Sequence, residues 1–187
     1  MNKKTIALTK EQYIEIIKTI REGFLTSRPN ERIAVALILE ANLGLRISDI
    51  LQLRLNDIVK DGDRWRLNII EQKTGKERVF TVPNELYLYI QQYCIDNSIK
   101  SNDVIFPIKE RMIQHHLKNV CDYLGYEGIS THSFRKFFAT TLYANNDYNI
   151  VLVQMLLQHS SPTTTQKYIG IGTKQLETAL QNNLCLI

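Results

Sequence analysis

The sequence predicts an α+β fold that is mainly α: a helical bundle carrying one small three-stranded antiparallel sheet, in a single domain over residues 1–187. Apolar residues recur at helical spacing along most of the chain, whereas period-two runs bounded by glycine turns are confined to residues 57–82. No internal repeat or low-complexity tract interrupts that order. At 187 residues and 44% hydrophobic content, the chain is long enough to bury one substantial core.

Thr9 is placed as the N-cap of a first helix, with Tyr13, Ile14, Ile16, Ile17 and Ile20 following at helical spacing. Ser27, Arg28, Pro29 and Asn30 form a polar break before a second helix over 31–43, which Gly44 ends as a C-cap glycine. Ser48 then caps a short helix through Leu53, putting Arg46 in the bend between two helices. Residues 57–60, 65–71 and 78–82 read as strands. Asp61-Gly62-Asp63 turns the first pair and Lys73-Thr74-Gly75-Lys76 the second.

Pro83 and Asn84 open a helix running to Asn97, and residues 104–107 are extended. Helices follow over 109–124, 132–145 and 149–157. Ser160-Ser161-Pro162-Thr163 breaks the run, because proline cannot donate to a preceding turn. A short helical segment over 164–168, a Gly170-Ile171-Gly172 hinge and a last amphipathic helix over 174–183 complete the chain.

Composition excludes more than it identifies. No apolar run is long enough to span a bilayer, and the polar N-terminus lacks the apolar centre of a secretory signal. Cys94, Cys121 and Cys185 are odd in number and lack metal-ligand spacing, so they read as free thiols of a cytoplasmic protein. A net charge of +4 is compatible with nucleic acid without demanding it. Basic residues gather in E-Q-K-T-G-K-E-R and between Arg111 and Lys118, where a solvated face is the alternative reading.

The sharper signal is five side chains: Arg46 in A-N-L-G-L-R-I-S-D, His132 and Arg135 in T-H-S-F-R-K-F-F-A-T, and His159 and Tyr168 in L-L-Q-H-S-S-P-T-T-T-Q-K-Y. Guanidinium forks match phosphate oxygens better than any other side chain, and a phenol can attack a phosphodiester when its proton has somewhere to go. His132 and Arg135 are three residues apart, so on a helix they share a face and reach one anion. Each residue also has an ordinary reading. Arg46 after a helix cap can simply form a salt bridge, His132 can cap its helix, and Tyr168 is one of nine tyrosines.

Taken together, these boxes resemble the tyrosine recombinase (phage integrase) family, from about Ala7 to the C-terminus. Gly-Leu-Arg-Ile-Ser-Asp resembles the first arginine box, with Asp49 in place of the commoner glutamate that buttresses the site. His-Ser-Phe-Arg-Lys resembles the second, with Lys136 where many members have histidine. His159 precedes Tyr168 by the family interval, and Gln158 replaces the usual glycine. The resemblance places a general-acid lysine on the second hairpin, best matched by Lys73, with Lys76 as the substitute.

The resemblance implies the tyrosine-recombinase catalytic-domain fold and a DNA strand-cutting and rejoining enzyme. In that scheme Tyr168 is the nucleophile, Arg46 and Arg135 clamp the phosphate, and His159 donates to it. His132 accepts the tyrosine proton or orients the phosphate, and Lys73 protonates the departing 5′ oxygen. The product is a 3′-phosphotyrosyl link, with no cofactor and no metal. The implied partner is double-stranded DNA, with a tetramer on synapsed duplexes, a monomer or weak oligomer when free, and no membrane. The last helix is expected to dock in cis or on a neighbouring protomer. The chain is expected to carry the catalytic domain without the family's N-terminal core-binding domain. Alternatives are DNA relaxation in the manner of a type IB topoisomerase, a non-catalytic DNA-binding relative, and a helical protein–protein module.

Overall fold

The computed structural model describes residues 5–25 and 27–170. They divide into two compact units, the first ending at Phe138 and the second beginning at Ala139. The first contains α1 (Lys10–Glu22), α2 (Glu31–Leu43), α3 (Ile47–Ile50), β1 (Ile58–Asp61), β2 (Arg64–Ile70), β3 (Glu77–Val82), α4 (Asn84–Asp96) and α5 (Glu110–Leu124). The division falls within α6 (Thr131–Asn145), and the second unit continues with α7 (Ile150–Leu157) and α8 (Pro162–Ile169). The expected Gly172 hinge partner, the helix over 174–183 and Cys185 lie outside the described residues.

Local chemistry accounts for most element boundaries. Thr9 and Gln12 form a reciprocal capping box at the start of α1. Asn30, Asn149 and Ser161 cap α2, α7 and α8 through their side chains. Pro162 opens α8 at its first turn, where a missing N–H costs nothing. The helical segment expected over 164–168 therefore starts earlier, at the proline itself.

Helix α2 is the central element of the first unit. Ile33, Ala34, Val35, Ala36, Leu37, Leu39, Ala41 and Leu43 are all buried, so apolar side chains surround it rather than forming one stripe. The sheet has the order β1-β2-β3, antiparallel throughout. Ile58 pairs with Leu67, and Leu67 with Phe80, so these side chains share the inward face. Trp65 stacks on Tyr87 of α4, fixing the sheet to that helix. Among the described residues of the second unit, the buried ones are Ala139, Val153, Leu157 and Thr165.

Helix α3 departs from expectation at both ends. Ser48 is not a cap, because α3 begins at Ile47 with Arg46 in the N-cap position and no side-chain cap bond. Glu40 of α2 instead accepts the Ile47 N–H, so a buried carboxylate does the work assigned to a local hydroxyl. The helix also stops at Ile50 rather than at Leu53, with Leu51 as its C-cap.

Gly44 decides how the chain reaches Arg46. It closes α2 in the left-handed region at φ 59°, its N–H donating to the Glu40 carbonyl. A Cβ there would lie 2.3 Å from Cδ1 of Phe138. Gly44→Ala combines left-handed strain with overpacking and should cost about 2–4 kcal/mol in chemical denaturation. A loss below about 0.5 kcal/mol, the scale of an ordinary surface change, would show that Phe138 yields freely.

Candidate active site

The first unit gathers three arginines and three carboxylates into a buried cluster. Arg46 enters from the start of α3, Arg78 from β3 and Arg135 from α6. Glu40, Asp49 and Glu71 face them, each no more than 3% exposed. Glu71 is the hub: one carboxylate oxygen accepts Arg46 Nη1 at 2.5 Å and the Thr74 hydroxyl at 3.0 Å, and the other accepts Arg78 Nη1 at 2.9 Å. Asp49 lies 4.0 Å from Arg46 Nη1 and accepts the backbone N–H of Gln72 at 2.9 Å. Asp49 thus buttresses the arginine and also pins the hairpin that follows β2.

Burial alone would raise the Glu71 carboxyl, but hydrogen bonds from Arg46, Arg78 and Thr74 outweigh it and leave it below the usual glutamate range. Burial also draws Arg78 below the ordinary arginine value, helped by the charge of Arg135 and opposed by Glu71. Glu40 goes the other way. Burial raises its carboxyl well above the usual range, Arg135 pulls it down, and neighbouring Glu110 pushes it up.

His132 stands in the first turn of α6 with an exposed edge. Desolvation is the largest influence on its imidazole, followed by the positive charges of Arg135, Lys73 and Arg46, with Glu110 opposing. The net effect lowers it below 6.5, so the ring is neutral at pH 7. The same influences bring Arg46, Lys73, His132 and Arg135 into one electrostatic neighbourhood. Lys73 is exposed on the turn between β2 and β3, and Lys76 lies at the end of that turn, also exposed. Lys136, the departure from the second box, donates to the Thr5 carbonyl at 2.7 Å and so ties down the N-terminal segment.

The second unit holds the other pair. His159 and Tyr168 are half-buried, their ring centroids 5.2 Å apart and the rings edge to face at 78°. His159 Nδ1 is 3.0 Å from the Thr165 hydroxyl oxygen. Its backbone N–H donates to the Gln154 carbonyl at 3.1 Å, and Gln154 Nε2 donates back to the His159 carbonyl at 3.2 Å. Gln158 closes α7 in the left-handed region at φ 53°. A glycine would take that backbone without steric cost, which explains why the family's glycine belongs there.

Sequence reasoning missed Glu40, Glu71 and Arg78. A usable signal existed for Arg78: it occupies an inward position of β3, in period two with Phe80 and Val82. An arginine on an apolar strand face requires a buried carboxylate, and Glu71 ends the partner strand's run. Cys121 is buried, its thiol pushed up to about 12 chiefly by desolvation, so it is unreactive at neutral pH. Among the described residues no group of histidine, cysteine and carboxylate side chains is arranged to hold a metal ion, and no helix is long and apolar enough to cross a membrane.

Mainly helical architecture with one small three-stranded antiparallel sheet is the catalytic-domain fold of tyrosine recombinases. Solved structures with the same fold include the XerH site-specific recombinase bound to palindromic difH substrate, at TM-score 0.72 and 21% identity over 96% of this chain and 53% of that one. The catalytic domain of bacteriophage HP1 integrase matches at TM-score 0.65 and 16% identity, over 96% of each chain. The phage integrase family model matches residues 7–174, and the chain belongs to that family. A probable integrase/recombinase of Bacillus subtilis, YoeC, is 32% identical over 84% of this chain and 87% of its own length. The tyrosine recombinase XerC of Caldanaerobacter subterraneus is 27% identical over 95% of this chain but only 51% of its own length. The chain therefore spans most of one relative and about half of another.

Two pH dependences follow. A raised Glu40 pKa means the folded chain holds a proton that the unfolded chain has lost, so Glu40 erodes stability as pH rises from the ordinary glutamate range through its folded value. Glu40→Gln should therefore gain stability relative to wild type as pH rises, read by denaturation at about pH 5 and about pH 8. A difference that stays constant with pH would refute this. For His132 the shift is downward, so its contribution to stability is complete above 6.5 and lost as pH falls through the folded value. Its NMR titration midpoint should lie below 6.5 and rise in Arg135→Gln.

Proposed function

We propose that this chain cleaves and rejoins double-stranded DNA as a site-specific recombinase, through a 3′-phosphotyrosyl intermediate. The observation that carries the reading is a grouping in one unit: Arg46 on the carboxylates Glu71 and Asp49, Lys73 on the turn that Asp49 pins, and His132 with Arg135 three residues on along α6. That grouping suits a reaction that adds negative charge to a phosphate while a proton leaves the nucleophile. Arg46 and Arg135 hold the non-bridging oxygens, Arg46 with its guanidinium fixed in advance by Glu71 and Arg135 from a buried position on α6. His132, neutral at pH 7, takes the Tyr168 proton or orients the phosphate, and His159 donates to the phosphate.

The Tyr168 oxygen forms a bond to phosphorus as the bond to the 5′ oxygen breaks, and Lys73 gives that oxygen its proton. Attack by a 5′ hydroxyl of a partner strand reverses the sequence, releasing the tyrosine. Bond energy is conserved in the protein–DNA link, so the chemistry calls for no cofactor. Two duplexes cut on both strands require four protomers, so the active assembly is a tetramer on synapsed DNA. The likeness to YoeC, a probable integrase/recombinase, over most of both chains favours strand exchange over supercoil relaxation.

Covalent trapping tests this directly. Protein mixed with nicked, fragmented DNA and then denatured in detergent should carry attached DNA, and Tyr168→Phe should carry none. Arg135→Ala should lower adduct yield at early times by about a hundredfold, the scale for removing one fixed donor to a transition-state oxyanion. Binding of the uncleaved DNA should weaken steeply with added salt. An adduct that persists in Tyr168→Phe would reassign the nucleophile, and absence of any adduct despite binding would remove the catalytic reading.

A further inference from the structure

The proposed acid, Lys73, sits on an exposed turn, where a lysine on a flexible hairpin would sample many positions. The structure ties that turn down on both sides. Immediately before Lys73, the Gln72 N–H donates to Asp49 at 2.9 Å; immediately after, the Thr74 hydroxyl donates to Glu71 at 3.0 Å. The Glu71 backbone closes the loop as well: its N–H donates to the Lys76 carbonyl at 2.9 Å, and its carbonyl accepts from Gly75 at 2.8 Å. Both carboxylates also face Arg46, at 2.5 Å from Glu71 and 4.0 Å from Asp49. The oxygen of Glu71 that receives the Thr74 hydroxyl is the same one that receives Arg46.

We propose that Glu71 is a positioning residue that sets the Lys73 turn relative to the Arg46 guanidinium, with the Thr74 hydroxyl as the connecting bond. A phosphate held by Arg46 would then find the lysine at a set distance from its leaving oxygen, rather than waiting for a free turn to deliver it. Arg78 completes the device by holding the other Glu71 oxygen from the sheet, so the carboxylate cannot swing between its two clients. The role of Lys73 rests on the recombinase reading above; the mechanical link between turn and arginine does not.

Glu71 itself is a poor test, because removing it strands the buried Arg78 and threatens the fold. Thr74 is exposed, and Thr74→Val deletes the connecting hydroxyl together with the bond it accepts from the Lys76 N–H at 3.3 Å, while Thr74→Ser keeps both. The first measurement needs no DNA: nitrogen-15 order parameters of the Gly75 amide and the Arg46 Nε–H in the free protein. In Thr74→Val both should fall together, and in Thr74→Ser both should stay at wild-type values. An Arg46 signal unchanged in Thr74→Val overturns the link, whatever the protein does to DNA.

The second measurement uses nicked duplexes of the sequence recovered from wild-type adducts, with oxygen or sulfur at the 5′ bridging position. A thiolate leaves without being protonated, so it has no need of the lysine. Thr74→Val should cleave the oxygen substrate about tenfold or more slowly than wild type, and the sulfur substrate at nearly the wild-type rate. Equal slowing of both would show damage unrelated to the acid and would overturn the positioning role.

Discussion

Everything distinctive about this structure follows from the difficulty of burying arginine. A phosphate site gains strength when its donors are fixed and shielded from water, but a guanidinium removed from water without a partner costs several kcal/mol. The first unit resolves this by burying carboxylates beside the arginines, and the backbone is arranged to deliver them. Glu40 arrives one turn before the end of α2, Asp49 inside α3, and Glu71 just past the end of β2. Arg46 and Arg78 come to Glu71 from opposite sides, on a helix start and a neighbouring strand. Removing Glu71 would leave Arg46 and Arg78 without the carboxylate they share, so this part of the cluster is held together by the cost of taking it apart.

The balance of charge within that cluster has a chemical consequence. Carboxylates that pin arginines also cancel part of their attraction for phosphate, so too much negative charge would defeat the site. Glu40 shows where that limit lies. Burial and the nearby Glu110 resist its ionisation even with Arg135 close by. Desolvation first, and then the neighbouring cations, keep His132 neutral, because a positive charge on the ring would lose water and face Arg135, Lys73 and Arg46. One electrostatic arrangement therefore gives both a set of fixed donors and an unprotonated imidazole.

Much of this was legible before the structure. Helix α2 and its glycine stop, the confinement of strands to one stretch, and helices α5, α6 and α7 follow from periodicity and punctuation. The residues expected to meet phosphate, Arg46 and Arg135, fall in the cluster with Lys73 and His132 beside them. What was not legible depends on contacts far apart in sequence. Glu40 and Glu71 look like ordinary residues of a helix and a strand end, and only tertiary packing shows that each serves an arginine in another element. Ser48 misled for the same reason: a local cap was expected where a carboxylate seven residues before Ile47 satisfies the N–H instead.

The two units share one way of aiming a side chain. In each, a helix is ended by a left-handed residue, Gly44 after α2 and Gln158 after α7, and a site residue follows within two positions. The reversal breaks the helical rotation, so the next side chains leave in directions the helix could not provide. After Gly44, Leu45 turns into the core and Arg46 emerges at the start of α3. After Gln158, the His159 N–H folds back on Gln154 and its ring faces Thr165 and Tyr168. The two turns differ in what they tolerate. Phe138 occupies the space of a side chain at Gly44, so only glycine fits there. At position 158 glutamine is accommodated at a cost of about 1 kcal/mol in backbone strain. Such a cost is retained where the direction of the chain beyond the turn matters more than local stability, and a proposed phosphate ligand follows each turn: His159 directly after Gln158, and Arg46 two residues after Gly44.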